Sequence, residues 1–325
     1  MTAIAPARDR PAGARRGPVP WRRMAWVTWR LHRLPLLAAL GVAVAVAAAY
    51  AVSGIAVRHG MSQPQWDASP AAIDLESAGV LAGLALPLLA GLFPGAPLLA
   101  REAEHRTLAL AWTQGAGRTR WLLGQVVPVG ALLAGGAAAI GAETSWWLGT
   151  AGTYRPHWLN PAWFGLRPLP MAGWTLLALS LGTFLGGAIR RTVPAMAATL
   201  CCYGAVLSAT ALGWRPRYLP PLHRVLAVRF SPDGYSWSFS PSGMRSLGLS
   251  PDILGSRLIR PDGRPLSLDA GHPAAWYRLH HIKLLVTYQP ASRYGLFQLI
   301  ELGWLVAASA VLIAATAVLI RRHRA

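Results

Sequence analysis

Six long apolar runs dominate this sequence and decide what the chain can fold into. Each run reaches the roughly 20 residues that a helix needs to cross about 30 Å of hydrocarbon. With 54% hydrophobic and only 13% charged residues, the chain lacks the polar surface of a soluble globule. The sequence therefore predicts an all-α membrane protein with six transmembrane helices. The runs are 34–57, 77–100, 121–141, 169–189, 193–213 and 297–320.

Arginine is distributed unevenly around these runs. It is abundant before the first run, in the connection 101–120, at Arg190 and Arg191, and after position 320, whereas the other short connections carry few arginines. Positive residues in short flanking segments stay on the cytoplasmic side of a membrane. Both termini and the connection 101–120 are therefore predicted to face the cytoplasm. The connection 215–296 is predicted to lie on the outer side of the plasma membrane.

The segment before the first run has two chemically different sides. When residues 20–33 are projected on a helix at about 100° per residue, apolar and aromatic side chains separate from most of the arginines. Such a helix lies flat among lipid headgroups, so an interfacial helix is predicted here; an ordinary arginine-flanked entry to the first span is the alternative. Residues 1–19, rich in Pro, Gly and Arg, are predicted to be a disordered cytoplasmic tail. The residues expected at the membrane surface are Trp21, Arg22, Trp29, Arg30 and Arg33.

The connection between the second and third runs is more highly charged than a bare turn requires. Glu102 and Arg106 are spaced i, i+4, as are Leu108 and Trp112. On a helix each such pair contributes about 0.2 to 0.5 kcal/mol. Residues 101–114 are therefore predicted to form a short helix that offers a surface to a cytosolic protein. A solvated loop whose charges only set topology is the alternative.

Three sequence patterns carry a family resemblance. Residues 97–122 read PLLAREAEHRTLALAWTQGAGRTRWL, and residues 288–293 read YQPASR and are followed by Phe297-Gln298 and Ile300-Glu301. A weaker third pattern is WR followed by HR within 29–33, where Leu31 stands in place of an expected polar residue. Together they resemble the permeases of type-2 ATP-binding-cassette exporters, the drug and lipid exporter class, of the kind found in high-GC Gram-positive bacteria.

The resemblance implies a function and a set of contacts. It implies that 101–114 is a cytoplasmic coupling helix, through which a separate ATP-binding-cassette ATPase drives the permease, and that 20–33 is an amphipathic elbow helix. It also implies a second permease copy, identical or different, around one path for a hydrophobic or amphipathic substrate that leaves the cell by alternating access. The residues expected at the ATPase contact are Arg101, Glu102, Glu104, His105, Arg106, Thr107, Trp112, Thr113 and Gln114.

The sequence contains no recognisable catalytic, nucleotide or metal site. Its only lysine, Lys283, lacks the glycines of a phosphate-binding loop, so ATP and Mg are expected on the partner subunit and no cofactor in this chain. His280 and His281 have no third ligand at helical spacing, so no metal site is predicted. Nucleic-acid binding is excluded because the basic residues bracket apolar runs rather than gather on a soluble domain. A polytopic membrane enzyme, and a non-transporting scaffold or sensor that binds an ATPase, are the alternatives to a permease.

Two acidic residues are candidates for charges inside the membrane, Glu301 within the last run and Glu143 just beyond the outer end of the third. Ionisable side chains are costly in a membrane and tend to line a path or a helix contact. Glu143 and Glu301, with Gln298, are therefore predicted to border the substrate path or an outer gate. The alternative is that each glutamate reaches the outer interface or pairs with Arg155 or Arg293.

The remaining segments complete the predicted organisation. Proline and glycine alternate in the second run, which predicts a kink and a hinge that tilts the second and third spans together; irregular helix packing is the alternative. The Pro-Asp-Gly turns of the last connection predict a compact extracytoplasmic loop domain between the fifth and sixth spans, and its net positive charge predicts contact with membrane lipid. The resemblance implies short re-entrant or interfacial helices in the same connection. The predicted domains are 1–19 (tail), 20–33 (elbow), 34–214 (spans one to five), 215–296 (loop domain) and 297–325 (sixth span and basic cytoplasmic tail).

Overall fold

A computed structural model describes most of the chain from position 70 onward and part of the first run. Within the described residues, five helices are long and apolar enough to cross a membrane, and each coincides with one of the predicted runs. The first run lies largely outside the described residues, although 44–52 is helical. The described residues are 44–52, 70–105, 117–150, 158–230, 237–248, 251–266 and 274–322, with Trp26, Arg30, Leu37, Gly41 and Ile55. The five candidate spans are Val80–Glu104, Arg118–Leu148, Pro168–Ile189, Thr192–Arg217 and Ala291–Arg322.

The helices and strands follow one another in a simple order. The helices are α1 (Pro70–Ala90), α2 (Ala96–Glu104), α3 (Arg118–Thr150), α4 (Pro161–Gly165), α5 (Pro168–Ile189), α6 (Thr192–Ala209), α7 (Pro241–Ser246), α8 (Ala274–Leu279) and α9 (Tyr294–Arg322). The strands are β1 (Leu222–Leu226), β2 (Val228–Phe230), β3 (Trp237–Phe239), β4 (Asp252–Ile259), β5 (Pro265–Leu266) and β6 (Lys283–Gln289). Two π-helical turns, Gly91–Gly95 and Thr210–Trp214, and two 3-10 turns, Arg215–Arg217 and Ala291–Arg293, join some of them.

A tight turn of two arginines connects α5 to α6. Arg190 has φ 59° and ψ 18°, and its backbone N–H donates to the carbonyl of Gly186. This left-handed residue reverses the chain, and the extended Arg191 then leads directly into α6. Two spans therefore meet at one end of the bundle with almost no connecting chain.

The irregular part of the second span packs against α5 backbone to backbone. The π-helical turn contains Pro94, in the region where the sequence predicts a kink. A Cβ added to Gly182 of α5 would overlap the Gly91 carbonyl oxygen, and a Cβ added to Gly91 would lie 2.7 Å from the Ala178 carbonyl oxygen. Gly186 approaches the carbonyl of Ala96 in the same way. Glycine is required at these positions because any side chain would push the two helices apart.

The connection after the fifth span folds as a sheet, which corrects the all-α prediction for this part of the chain. Strands β1, β6, β4 and β5 form a four-stranded antiparallel sheet in that order, and β2 pairs with β3. Leu284, Val286 and Tyr288 of β6 are buried while the residues between them are more exposed. This period of two is that of a strand with one face on a core, and the short apolar run here was too brief to show it clearly. Helices α7 and α8 are the short helices found in this connection.

The bundle has two chemically different ends. We call the end where α2 and α5 finish and α3 and α6 begin the basic end, because arginines lie within or directly beside these four helix ends. The opposite end, where α5 begins and the four-stranded sheet sits, is the sheet end. The arginines described at the basic end are Arg101, Arg118, Arg120, Arg190, Arg191, Arg321 and Arg322.

Candidate functional site

At the basic end, a carboxylate of the second span is bonded to the first residue of α6. Glu104 Oε1 accepts from the Thr192 backbone N–H at 2.8 Å, and Glu104 Oε2 accepts from the Thr192 hydroxyl at 2.7 Å. The first backbone N–H groups of a helix have no partner within the helix, and the helix dipole favours negative charge there. Glu104 therefore caps α6 from another span and fixes the end of α2 to it.

Of the segment 101–114 that is predicted to be a coupling helix, the structure describes only residues 101–105. Residues 101–104 are the last turn of α2, so they continue the second span rather than start a separate helix, and His105 ends it with its N–H bonded to the Arg101 carbonyl at 3.0 Å. Arg101, Glu104 and His105 are exposed, and Glu102 is partly buried. The remaining residues predicted to contact an ATPase lie outside the described residues: Arg106, Thr107, Trp112, Thr113 and Gln114.

A second pair of contacts at the basic end joins α3 to α9. Arg118 Nη1 donates to the carbonyls of Ile320 at 3.1 Å and Arg321 at 3.3 Å, and Arg321 Nε donates to the Thr119 hydroxyl at 2.9 Å. The last carbonyls of a helix lack partners within it, so a guanidinium satisfies them and complements the negative end of the dipole. The start of one span is thus fixed to the end of another.

The predicted elbow helix is described at two positions only. Trp26 and Arg30 are both helical, and the Arg30 guanidinium lies 5.5 Å from the centre of the Trp26 ring. This contact fits the i, i+4 spacing of the segment. The other residues predicted at the membrane surface, Trp21, Arg22, Trp29 and Arg33, lie outside the described residues, so the interfacial helix stays a prediction.

At the sheet end, Glu301 is the centre of a buried polar cluster, which we call the Glu301 cluster. Arg215 donates from Nε to Oε2 and from Nη2 to Oε1, both at 2.8 Å. Trp174 Nε1 donates to Oε1 at 2.8 Å, and the Tyr218 hydroxyl donates to Oε2 at 3.0 Å. Trp304 Nε1 in turn donates to the Tyr218 oxygen at 2.9 Å. Both carboxylate oxygens therefore accept two hydrogen bonds, and the arginine pair has the bidentate geometry that is strongest for this chemistry.

The Glu301 cluster is buried, and an aromatic ring covers its guanidinium. Glu301 is 0% and Arg215 1% exposed, so neither charge is solvated by bulk water. The Arg215 guanidinium carbon also lies 4.3 Å from the centre of the Phe164 ring, which adds a cation–π contact. Burial, and then the negative charge of Glu301, raise the pKa of Tyr218 above its ordinary value, so its hydroxyl keeps the proton that it donates.

The sheet is hydrogen-bonded to backbone segments next to this cluster. The Leu159 backbone N–H donates to Asp252 Oδ2 of β4 at 2.8 Å. Gln289 Nε2 of β6 donates to the Leu219 carbonyl at 2.8 Å. Trp158 packs edge-on against Phe297, with ring centres 5.2 Å apart. The sheet, the entry to α5 and the start of α9 therefore share one interface.

The residues predicted to form an outer gate differ in their burial and in their relation to the Glu301 cluster. Glu301 is held inside its cluster, and Gln298 is 9% exposed one turn earlier on α9. Glu143 is partly buried on α3 and is not a member of the cluster. The partner of Glu301 is neither of the arginines considered from sequence: Arg293 instead donates to the Pro220 carbonyl at 2.8 Å and to Gln289 Oε1 at 2.9 Å.

Sequence reasoning missed Arg215, Trp174 and Thr192. An acidic residue in an apolar run signals that a counter-charge exists, but it does not say which arginine provides it. Arg215 lies two residues after the fifth run, so it was one of several arginines near the end of a span. Only the packing of α5, α6 and α9 selects it.

Residues 40–215 match the family model described as ABC-2 membrane transporter related. The matched segment covers more than half of the chain and includes every described span except the last. It ends at Arg215, before the sheet and before Glu301. No curated protein and no solved structure matches the chain.

Proposed function

Since this chain belongs to the ABC-2 membrane transporter related family, we propose that it is the permease subunit of an ATP-binding-cassette exporter, driven by a separate ATPase. The chain is a multi-pass membrane protein of the ABC transporter class. In the proposal, a hydrophobic or amphipathic substrate moves outward by alternating access along a path enclosed by two permease copies. ATP and Mg bind to the ATPase subunit.

The single observation that carries the proposal is the bond between Glu104 and Thr192. It fixes the last turn of α2, which leads into the connection 106–116, to the first turn of α6. The π-helical turn above it packs backbone to backbone on α5. A partner that pushes on this connection would therefore move α2, α5 and α6 together. That is the mechanical requirement for a permease powered by another subunit.

The arginines at the basic end support the proposed orientation. They flank all five described spans on one side, in short connections or close to the end of the last span, the context in which positive residues stay cytoplasmic. In this orientation the α2–α3 connection faces the cytosol, where an ATPase can reach it. The sheet then lies on the outer side of the membrane.

Co-purification with an ATPase tests the proposal. The full chain is expressed together with candidate ATP-binding-cassette ATPases of the same genome, and complex formation and ATP hydrolysis are measured in membranes and in detergent. Glu102→Arg at the basic end is expected to weaken the complex, because it reverses a charge next to the connection. Asp262→Arg is the matched control, since Asp262 is an exposed acid at the sheet end.

Three outcomes would contradict the proposal. The purified chain could hydrolyse ATP alone, no ATPase could bind the wild type, or both charge reversals could weaken the complex equally. An ATPase that binds but whose hydrolysis never responds to any candidate substrate would favour the scaffold or sensor instead.

A further inference from the structure

A long apolar groove lies between α3, α5 and α9, away from the contacts described above for α2 and α6. Its volume is about 780 Å³, within the range of about 300 to 1,000 Å³ typical of ligand sites. Gly130 of α3, Leu179 of α5 and Ala314 of α9 are among the residues that line it. Val127 and Val306, on its rim, are 57% and 43% exposed. The groove is therefore open along the side of the bundle.

The lining of the groove suits a hydrocarbon chain and not a polar ligand. Its two serines are already bonded to their own helices: Ser180 Oγ donates to the Leu176 carbonyl at 2.6 Å, and Ser309 Oγ to the Leu305 carbonyl at 2.7 Å. The other residues along its length are aliphatic or glycine, apart from those at one end. A polar ligand on such a surface would leave its own donors and acceptors without partners, whereas a hydrocarbon chain has none to satisfy.

One end of the groove is basic. Arg321 and Thr119 form its boundary there, and the Arg321 side chain, held by its bond to the Thr119 hydroxyl, is exposed. Arg322 is exposed beside it. A guanidinium has five donors in a planar fork that suits phosphate oxygens. An apolar groove that ends at a positioned arginine matches a molecule with a hydrocarbon tail and an anionic head.

The length of the groove fits one leaflet of a membrane. From Val306 to Arg321 the α9 wall covers about 22 Å at about 1.5 Å per residue. One leaflet contributes about 15 Å of hydrocarbon, to which the headgroup layer adds. An acyl chain in the groove would thus place its headgroup level with Arg321.

We propose that this groove binds an anionic diacyl phospholipid, with an acyl chain between α3, α5 and α9 and the phosphate against Arg321. Charge argues against the two protein occupants. The segment 10–33 carries arginines and no acidic residue, and a second copy of the chain would present the same basic end. Both would be repelled, whereas basic sites between transmembrane helices attract anionic headgroups. The proposal holds whether or not the chain transports a substrate.

Lipid retention by the purified full chain tests the proposal. The chain is extracted into nanodiscs with equal amounts of phosphatidylglycerol and phosphatidylcholine, transferred to detergent, and the retained lipids are counted by native mass spectrometry. The wild type is expected to retain phosphatidylglycerol over phosphatidylcholine by about fivefold, the effect of one arginine near a membrane surface. Arg321→Gln is expected to bring the ratio near one, and Arg321→Lys to keep a preference. Arg322→Gln, which changes the neighbouring exposed charge, is the control and should match the wild type.

A second pair of variants tests the apolar part without changing charge. Ala314→Phe fills the groove and should reduce retention of both lipids, whereas Val311→Phe, on the same helix but outside the groove and 68% exposed, should not. A photo-reactive amino acid in place of Ala310 should then capture lipid. Equal retention of both lipids by the wild type, an unchanged ratio in Arg321→Gln, or equal effects of Ala314→Phe and Val311→Phe would overturn the proposal. Capture of the N-terminal segment or of a second copy at position 310 would overturn it as well.

Discussion

Arg215, at the end of the span Thr192–Arg217, and Glu301, in the span Ala291–Arg322, form a bidentate ion pair that is almost completely excluded from solvent, at 1% and 0% exposure. The pair connects two spans that the whole sheet separates in sequence. Trp174 adds a third span to the same carboxylate. The Glu301 cluster therefore ties together the three spans that meet beneath the sheet.

Removing the charge of Glu301 should destabilise the protein strongly. Glu301→Gln leaves the Arg215 guanidinium buried with a neutral partner, and breaking a buried pair in this way costs about 3 to 5 kcal/mol. The expected result is a clear fall in the midpoint of thermal unfolding of the purified chain, followed by tryptophan fluorescence. Glu143→Gln is the control, because Glu143 is only partly buried and lies outside the cluster.

The double variant Arg215→Met with Glu301→Leu tests whether the loss of stability comes from leaving the Arg215 charge buried without a charged partner or from losing the contact itself. Replacing both members of a buried pair by apolar residues is often neutral or stabilising, so the double variant should be more stable than Glu301→Gln. If Glu301→Gln unfolds at the wild-type temperature, the pair is not the structural tie described above. A stable Glu301→Gln chain that no longer exports substrate would instead support the gate role predicted from sequence.

Two glycine substitutions should have opposite effects. Gly182→Ala places a methyl group against the Gly91 carbonyl oxygen, and forcing apart closely packed backbones costs about 1 to 3 kcal/mol. Gly136→Ala on α3 has nothing within 4 Å of the added carbon, and alanine favours a helix over glycine by about 1 kcal/mol. Thermal unfolding should thus shift down for the first variant and stay unchanged or rise for the second. Equal shifts would mean that the close contact between α5 and the π-helical turn has no structural importance.

Loss of the Glu104 carboxylate should uncouple α2 from α6 with a modest effect on stability. Glu104→Ala removes two hydrogen bonds at a helix start, and because Glu104 is exposed the fall in stability should be small. Hydrogen exchange should become faster at the first amides of α6, and ATP hydrolysis in the complex should lose its response to substrate. Thr192→Ser keeps both donors to Glu104 and serves as the control. Unchanged exchange at these amides in Glu104→Ala would contradict the capping role.

Chemical labelling should place the two ends of the bundle on opposite sides of the membrane. Cys201 and Cys202 are exposed on α6 and are first replaced by alanine. A cysteine in place of Asp262 should then react with an impermeant maleimide added to intact cells. A cysteine in place of Arg101 should react only after the cells are opened. The reverse pattern would overturn the proposed orientation and with it the position of the ATPase contact.

The sequence was sufficient to predict all five described spans. Crossing a membrane requires a long apolar run, and the length of such a run can be seen in one segment without knowledge of what packs against it. It also indicated the irregular region around Pro94, since proline and glycine act on the local backbone. It did not predict the sheet, because the strands are short and only β6 shows a clear alternation. The predicted coupling helix beyond His105 lies outside the described residues and stays a prediction.

What the sequence determined by itself is the membrane class of the chain and the distribution of arginine along it, both of which depend on properties local to each segment. What only the tertiary structure decided is which distant groups meet. The sequence shows that Glu301 is a charge in an apolar run, but Arg215, Trp174 and Tyr218 become its partners only when α5, α6 and α9 pack together. Glu104 likewise acquires its role because the two-arginine turn brings the start of α6 to the end of α2. The sequence of one segment shows that a charge will be buried and therefore needs partners. Which residues become those partners depends on packing between segments that are far apart in the chain.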